Sequence, residues 1–135
     1  MDIARAEGIT VFLAEDSAPL CARLTAMLSA VDNVSVVGEA ATPAAAVAGI
    51  LDTRPAFVVL DIHLDGGSGI GVLREIRKTA PGIVFIVLTN EPAPQYRKVY
   101  TQAGASYFLD KASEFETVRK IIAASAARAD AGMPC

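Results

Sequence analysis

Five side chains with acidic, hydroxyl or ammonium groups fall where apolar runs of the sequence end. Glu15 and Asp16 follow Ile9–Ala14, and Asp61 follows Ala56–Leu60. Thr89 follows Ile83–Leu88, and Lys111 closely follows Ser106–Leu109. Taken singly, each has a plain role. Glu15-Asp16 suits a solvated helix start, Asp61 a turn, and Thr89 and Lys111 the surface. Taken together, they place four residue types at four separate run ends, which the plain roles do not require. Three carboxylates brought together repel one another and raise one another's pKa unless a cation lies among them. A hard divalent ion with oxygen ligands relieves that repulsion, and Mg²⁺ keeps some water and room for a phosphate oxygen. Asp61 then becomes a nucleophile toward phosphorus, able to form an acyl phosphate. Phosphoryl transfer needs positioning and charge neutralisation. The metal and the Lys111 ammonium would neutralise the phosphoryl oxygens, and the Thr89 hydroxyl would hold one of them.

These residues must be positioned by the apolar runs that precede them. Ile9–Ala14, Val34–Val37, Ala56–Leu60, Ile83–Leu88 and Ser106–Leu109 read as strands, the third and fourth continuously apolar as in a parallel sheet covered on both faces. Helix-period stripes lie between them. Leu20, Leu24, Met27, Leu28 and Val31 form one, with Pro19 in its first turn. Thr42 caps a second before Pro43, with Val47, Ile50 and Leu51 inward. Ser68 caps a third with Ile70, Leu73 and Ile76 inward, and Pro81-Gly82 stops it. Pro92 and Pro94 open a fourth, with Tyr96, Val99, Tyr100 and Ala103 on one side. Ser113 and Glu116 form a capping box for a fifth, with Phe115, Val118 and Ile122 inward. Five βα units with short connections predict an α/β, flavodoxin-like (βα)5 three-layer sandwich with right-handed crossovers. In the strand order 2-1-3-4-5, the order reverses between the first and third strands, where open parallel sheets build their sites. Glu15-Asp16 and Asp61 then face each other there.

The 135 residues fit one domain, and a hydrophobic fraction of 53% excludes a disordered chain. The expected domain covers residues 1–127, and residues 128–135 lose periodicity and read as a flexible tail. A net charge of −3 without a long basic run gives no nucleic-acid footprint. Cys21 and Cys135 are too few and too distant for a disulfide framework or metal cluster; they read as one core thiol and one tail thiol. No apolar run approaches the ~18 residues of a membrane span, and Met1–Arg5 lacks a signal-peptide pattern. A cytoplasmic protein without membrane contact is expected.

The segments Val11–Ser17, Val58–Leu64, Val87–Thr89 and Gly104–Lys111 resemble the response-regulator receiver family of bacterial two-component signalling, over about Ile9 to Ala127. The resemblance implies that Asp61 is the phosphoacceptor. Asp16 would be a direct metal ligand and Glu15 an acid acting through water. His63 would offer its backbone carbonyl to Mg²⁺, its imidazole being a surface group. Lys111 would bind phosphate, and Thr89 with Phe108 would reposition on phosphorylation; ordinary core packing is the plainer role for Phe108. It also implies a histidine kinase or phosphotransfer protein as donor and a downstream protein or output domain as target. The responding face would comprise the fourth helix, fifth strand and fifth helix, including Tyr100 and Arg119, with a homodimer through that face as one use. Catalysis would be limited to the domain's own phosphorylation and dephosphorylation.

The sequence departs from the family pattern at Ala112, where proline commonly follows the lysine in a cis bond, so an all-trans loop is expected. Asn90 stands where a smaller residue is common, and Glu91 and His63 hold positions associated with dephosphorylation rate. Asp110, next to Lys111, is a candidate competitor for its ammonium, although adjacent strand residues point to opposite faces. A phosphate-independent pseudo-receiver is the alternative function. A flavodoxin-like FMN carrier fits poorly, because Glu15–Pro19 is acidic where an anion-binding loop would lie. A dehalogenase-type aspartyl phosphatase fits poorly too, lacking D-x-D after the first strand.

Overall fold

The computed structural model describes residues 8–131. The Met1–Arg5 stretch, Cys135 and the end of the expected tail lie outside them. The order of elements is β1 (Ile9–Ala14), α1 (Ala18–Ser29), β2 (Val34–Ala40), α2 (Pro43–Thr53), β3 (Phe57–Leu60), β4 (His63–Leu64), β5 (Gly67–Ser68), α3 (Gly69–Thr79), β6 (Val84–Thr89), α4 (Pro94–Ala103), β7 (Tyr107–Asp110) and α5 (Phe115–Ala131). The main sheet is parallel in the order β2-β1-β3-β6-β7. This is the expected 2-1-3-4-5 order, with β6 and β7 as its fourth and fifth strands. The remaining pair, β4 and β5, forms a small antiparallel hairpin after Asp61.

The unbroken apolar runs become strands because both sheet faces are covered, so each residue has somewhere dry to go. Successive residues alternate between two cores. Phe12, Val58, Leu60, Phe85, Val87 and Phe108 pack toward α2, α3 and α4, joined there by Ile50, Leu73, Ile76 and Tyr100. Val11, Leu13, Val59, Ile86, Leu88 and Leu109 pack toward α1 and α5, against Leu24, Leu28, Val118 and Ile122. Burying each such side chain contributes about 1.5–3 kcal/mol relative to exposure. Cys21 is a buried free thiol in the second core, as expected of it.

Helix starts follow local hydrogen-bond chemistry. Thr42 Oγ1 accepts from Ala45 N at 3.2 Å, the expected cap of α2. Ser17 Oγ accepts from Leu20 N at 3.3 Å and caps α1. At the C-terminal end of α4, Gly104 has φ +118°, and a Cβ there would meet Arg77 Nε at 2.5 Å, so only glycine suits both demands.

Several expectations are corrected. The second strand continues past Val37 to Ala40. Val37 lacks a β1 partner, because Val11 pairs with Val36 and Phe12 with Gly38. Gly38 continues the strand because the Phe12 ring lies where a side chain would stand. Ser68 occupies the cap position of α3 without a side-chain cap hydrogen bond. Val99 is 41% exposed and so falls off the inward stripe of α4. Tyr100 is buried at 3% and belongs to the core, not to the surface expected to respond. The box of Ser113 and Glu116 is replaced by other contacts. Glu116 Oε1 accepts from Arg119 Nε at 2.9 Å, while Glu114 Oε1 reaches back to Asp110 N at 2.9 Å. The last helix runs to Ala131, beyond the point where sequence periodicity ends. No helix among the described residues is long and apolar enough to cross a membrane.

Candidate metal and phosphoacceptor site

The carboxyl ends of β1, β3, β6 and β7 bring the five residues to one edge. Backbone bonds fix the loops that carry them: Glu15 N donates to Ala40 O at 3.0 Å, Asp61 N to Ala14 O at 3.0 Å, and Lys111 N to Thr89 O at 2.8 Å. Each loop is thus tied to a neighbouring strand end. Glu15, Asp61 and Thr89 are the buried polar side chains of the described residues, at 5%, 6% and 1% exposure, and Asp16 is exposed. A carboxylate oxygen from each of Glu15, Asp16 and Asp61 lies within 4.8 Å of the others.

Lys111 closes this cluster from the β7 side. Its Nζ donates to Asp61 Oδ2 at 2.9 Å and pairs with Glu15 Oε1 at 3.0 Å. The other Glu15 oxygen accepts from Ser17 N at 2.9 Å. Burial pushes Glu15 up to about 7, against the Lys111 bond that lowers it; the nearby Asp61 charge raises it further. Burial alone would lower the Lys111 ammonium, but its bonds to Asp61 and Glu15 prevail and its pKa is raised. Asp110 does not compete for the ammonium; its Oδ1 accepts from Ala112 N at 2.9 Å. The described backbone has no cis peptide bond, in keeping with the Ala112 loop expected from the sequence.

The hairpin after Asp61 carries the next contacts. His63 N donates to Asp61 Oδ1 at 3.3 Å, so the backbone of His63 adjoins the acceptor carboxylate. Its imidazole points away, exposed, with Nε2 at 2.6 Å from Glu91 Oε1. Thr89 Oγ1 accepts from Glu91 N at 2.9 Å, which orients the hydroxyl. Phe108 is buried at 4% beside Tyr100, their ring centroids 6.2 Å apart. Asn90 is exposed.

The structure therefore gathers Glu15, Asp16, Asp61, Lys111, the His63 backbone and Thr89 at one edge, and sets Phe108 behind them in the core. Sequence reasoning missed three participants. The first is the second ion pair of Lys111, to Glu15. The second is Gly69, whose Cβ would collide with the Asp61 carbonyl; glycine there lets α3 begin directly behind Asp61. The third is Tyr100, whose hydroxyl donates to Ile62 O at 3.5 Å, one residue from Asp61. A glycine amid Gly66-Gly67-Ser68-Gly69 and a tyrosine on a helical stripe carry no distinguishing signal.

Fold and site together define a doubly wound α/β domain with an acidic pocket at the switch point of its sheet. Residues 11–123 match the family model of the response regulator receiver domain, and the chain belongs to that family. Among curated proteins it is 31% identical over 114 residues to the transcriptional regulatory protein DesR of Bacillus subtilis (strain 168), covering 84% of this chain and 56% of DesR. It is 32% identical over 125 residues to protein-glutamate methylesterase/protein-glutamine glutaminase 3 of Rhodopseudomonas palustris (strain BisB18), covering 91% of this chain and 34% of that protein. The chain thus spans about half, or less, of the relatives' length. The response regulator domain of Thermotoga maritima CheB shares the fold, with a TM-score of 0.78 at 24% identity, over 95% of this chain and 100% of that domain.

Proposed function

We propose that this chain is the phosphoacceptor receiver of a bacterial, cytoplasmic two-component system, with Asp61 as the acceptor. The observation that carries the reading is the buried Asp61 carboxylate, bonded by Lys111 and grouped with Glu15 and Asp16 within 4.8 Å. The donor set fits Mg²⁺: all-oxygen, with two of its three carboxylates buried and the Glu15 pKa raised, by burial first and by the Asp61 charge in addition. Glu15, Asp16, Asp61 and the His63 carbonyl would hold the ion. When bound, it offsets the carboxylate charge and that of the phosphoryl oxygens.

The protein's own groups do the rest. An Asp61 oxygen attacks the phosphorus of a phosphohistidine on a kinase or phosphotransfer protein. A P–O bond forms, the P–N bond breaks, and the imidazole leaves with the electron pair. Lys111 exchanges one carboxylate partner for a phosphoryl oxygen, and the Thr89 hydroxyl turns from Glu91 N to another. Phe108, behind Thr89, couples that motion to the face formed by α4, β7 and α5, where Val99 and Tyr107 are exposed. That face would engage a downstream protein, an output domain or a second copy of the chain. The domain acts on its own phosphate and on no external substrate.

The test is intact-mass measurement after incubation with acetyl phosphate, with and without Mg²⁺, beside an established receiver. One phosphoryl group gained only with Mg²⁺ is the expected result. No gain while the control is labelled would leave the chain a phosphate-independent binding module.

A further inference from the structure

The ring of Phe108 is closed on its outer side by a charge. Arg97, an exposed residue of α4, places its guanidinium carbon 5.0 Å from the Phe108 ring centroid. The ring also meets that of Tyr100, their centroids 6.2 Å apart and the planes tilted by 55°, and the Tyr100 hydroxyl donates to Ile62 O. A continuous stack therefore runs from the residue after Asp61, through Tyr100 and Phe108, to a guanidinium at the surface. Arginine suits this place because its planar, weakly hydrated cation stacks on an aromatic face while its stem covers the ring edge.

We infer that Arg97 is a positioning residue for the conformational switch: it latches Phe108 in its inward place before phosphorylation. The inference rests on the receiver reading for its consequence, but the latch itself is a statement about the ring. An inward Phe108 leaves Thr89 free to turn toward Asp61, so the latch biases the unphosphorylated domain toward the conformer that receives phosphate best.

A second pair supplies the control. Arg23 on α1 stands 4.4 Å from the ring centroid of Phe115 at the start of α5, in the other core. It has the same chemistry and lies apart from the stack.

The experiment uses the full chain with ¹³C-labelled phenylalanine rings, followed by NMR with and without beryllofluoride and Mg²⁺. In Arg97→Gln, the inward-to-outward ratio of Phe108 should fall about 2- to 5-fold, the range expected for one exposed cation–π contact. Beryllofluoride affinity should fall with it, by up to the same factor. Arg97→Lys should recover part of both, and Arg23→Gln should change neither. An unmoved Phe108 resonance in Arg97→Gln overturns the latch, as does an equal shift in Arg23→Gln. A displaced ring with wild-type beryllofluoride affinity overturns its coupling to the site. Failure of the wild type to bind beryllofluoride would overturn the receiver reading instead, and the Phe108 resonance would still decide the latch.

Discussion

The two cores separated by the sheet differ in material. Toward α1 and α5 the strands meet mainly branched aliphatics: Leu24, Leu28, Val118 and Ile122 close over Leu13, Val59, Ile86 and Leu88, with Phe57 the buried aromatic there and Phe115, under Arg23, packed at its margin. Toward α2, α3 and α4 the core is aromatic at several points, with Phe12, Phe85, Tyr100 and Phe108. The neighbours Phe108 and Leu109 show the contrast within one strand, each facing a different core. Interlocked aliphatics resist displacement because any shift opens a void. A ring bounded by another ring and a guanidinium can move as a plate. In the proposed switch, one core would serve as a fixed base and the other would hold the parts that respond, with the acidic edge spanning both.

The largest effect expected is at that edge. Asp61→Asn should abolish phosphoryl labelling completely while leaving thermal unfolding cooperative and both cores intact. Unfolding of this variant would show that the edge props up the cores, and the division between base and site would fail. Next comes the fixed base itself. Leu24→Ala should cost about 2–5 kcal/mol in chemical denaturation, with the labelling rate of the folded fraction unchanged. A labelling defect beyond the lost stability would break the comparison from the other side.

The pH dependence of stability sharpens the role of the edge. The folded Glu15 carboxyl keeps its proton up to about pH 7, whereas the unfolded one releases it near 4.5. Between those values the folded protein binds more protons, so its stability falls as pH rises through the window. Denaturation curves at stepped pH should show this decline, and Glu15→Gln or Mg²⁺ should flatten it. A decline indifferent to both would take Glu15 out of the account. The smallest effect on stability is expected at the plate. Phe108→Leu should cost only about 1 kcal/mol, yet the α4 resonances should stop responding to beryllofluoride. A full α4 response in that variant would make Phe108 ordinary packing.

Much of this was legible in the sequence. Continuous apolar runs such as Phe57–Leu60 admit few uses other than buried parallel strands, and the βα alternation implies a parallel sheet with right-handed crossovers; the order 2-1-3-4-5 comes from the flavodoxin-like pattern, since alternation alone leaves it open. The candidate site was legible because its residues lie at run ends, where topology gathers them. What escaped was local or distant. The β4–β5 hairpin is two residues on each side and has no period to detect. Glu114 reaches back to Asp110 in place of the Ser113–Glu116 box, a choice set by how the Lys111 loop bends. The Lys111–Glu15 pair joins residues at opposite ends of the chain, and only packed strands reveal it. The inward turn of Tyr100 and the outward turn of Val99 depend on the rotation of α4 against β7, which a helical stripe four residues wide does not fix.

The unmatched Val37 bears on how copies of this protein coexist at high concentration. Strand β2 is a free margin of the sheet, and such margins invite foreign strands to add on and grow into fibrils. An extra residue there bends and twists the margin, and Ser35 and Glu39 add polar and charged groups along it. Deleting Val37 would straighten that border and leave the protein inclined to precipitate.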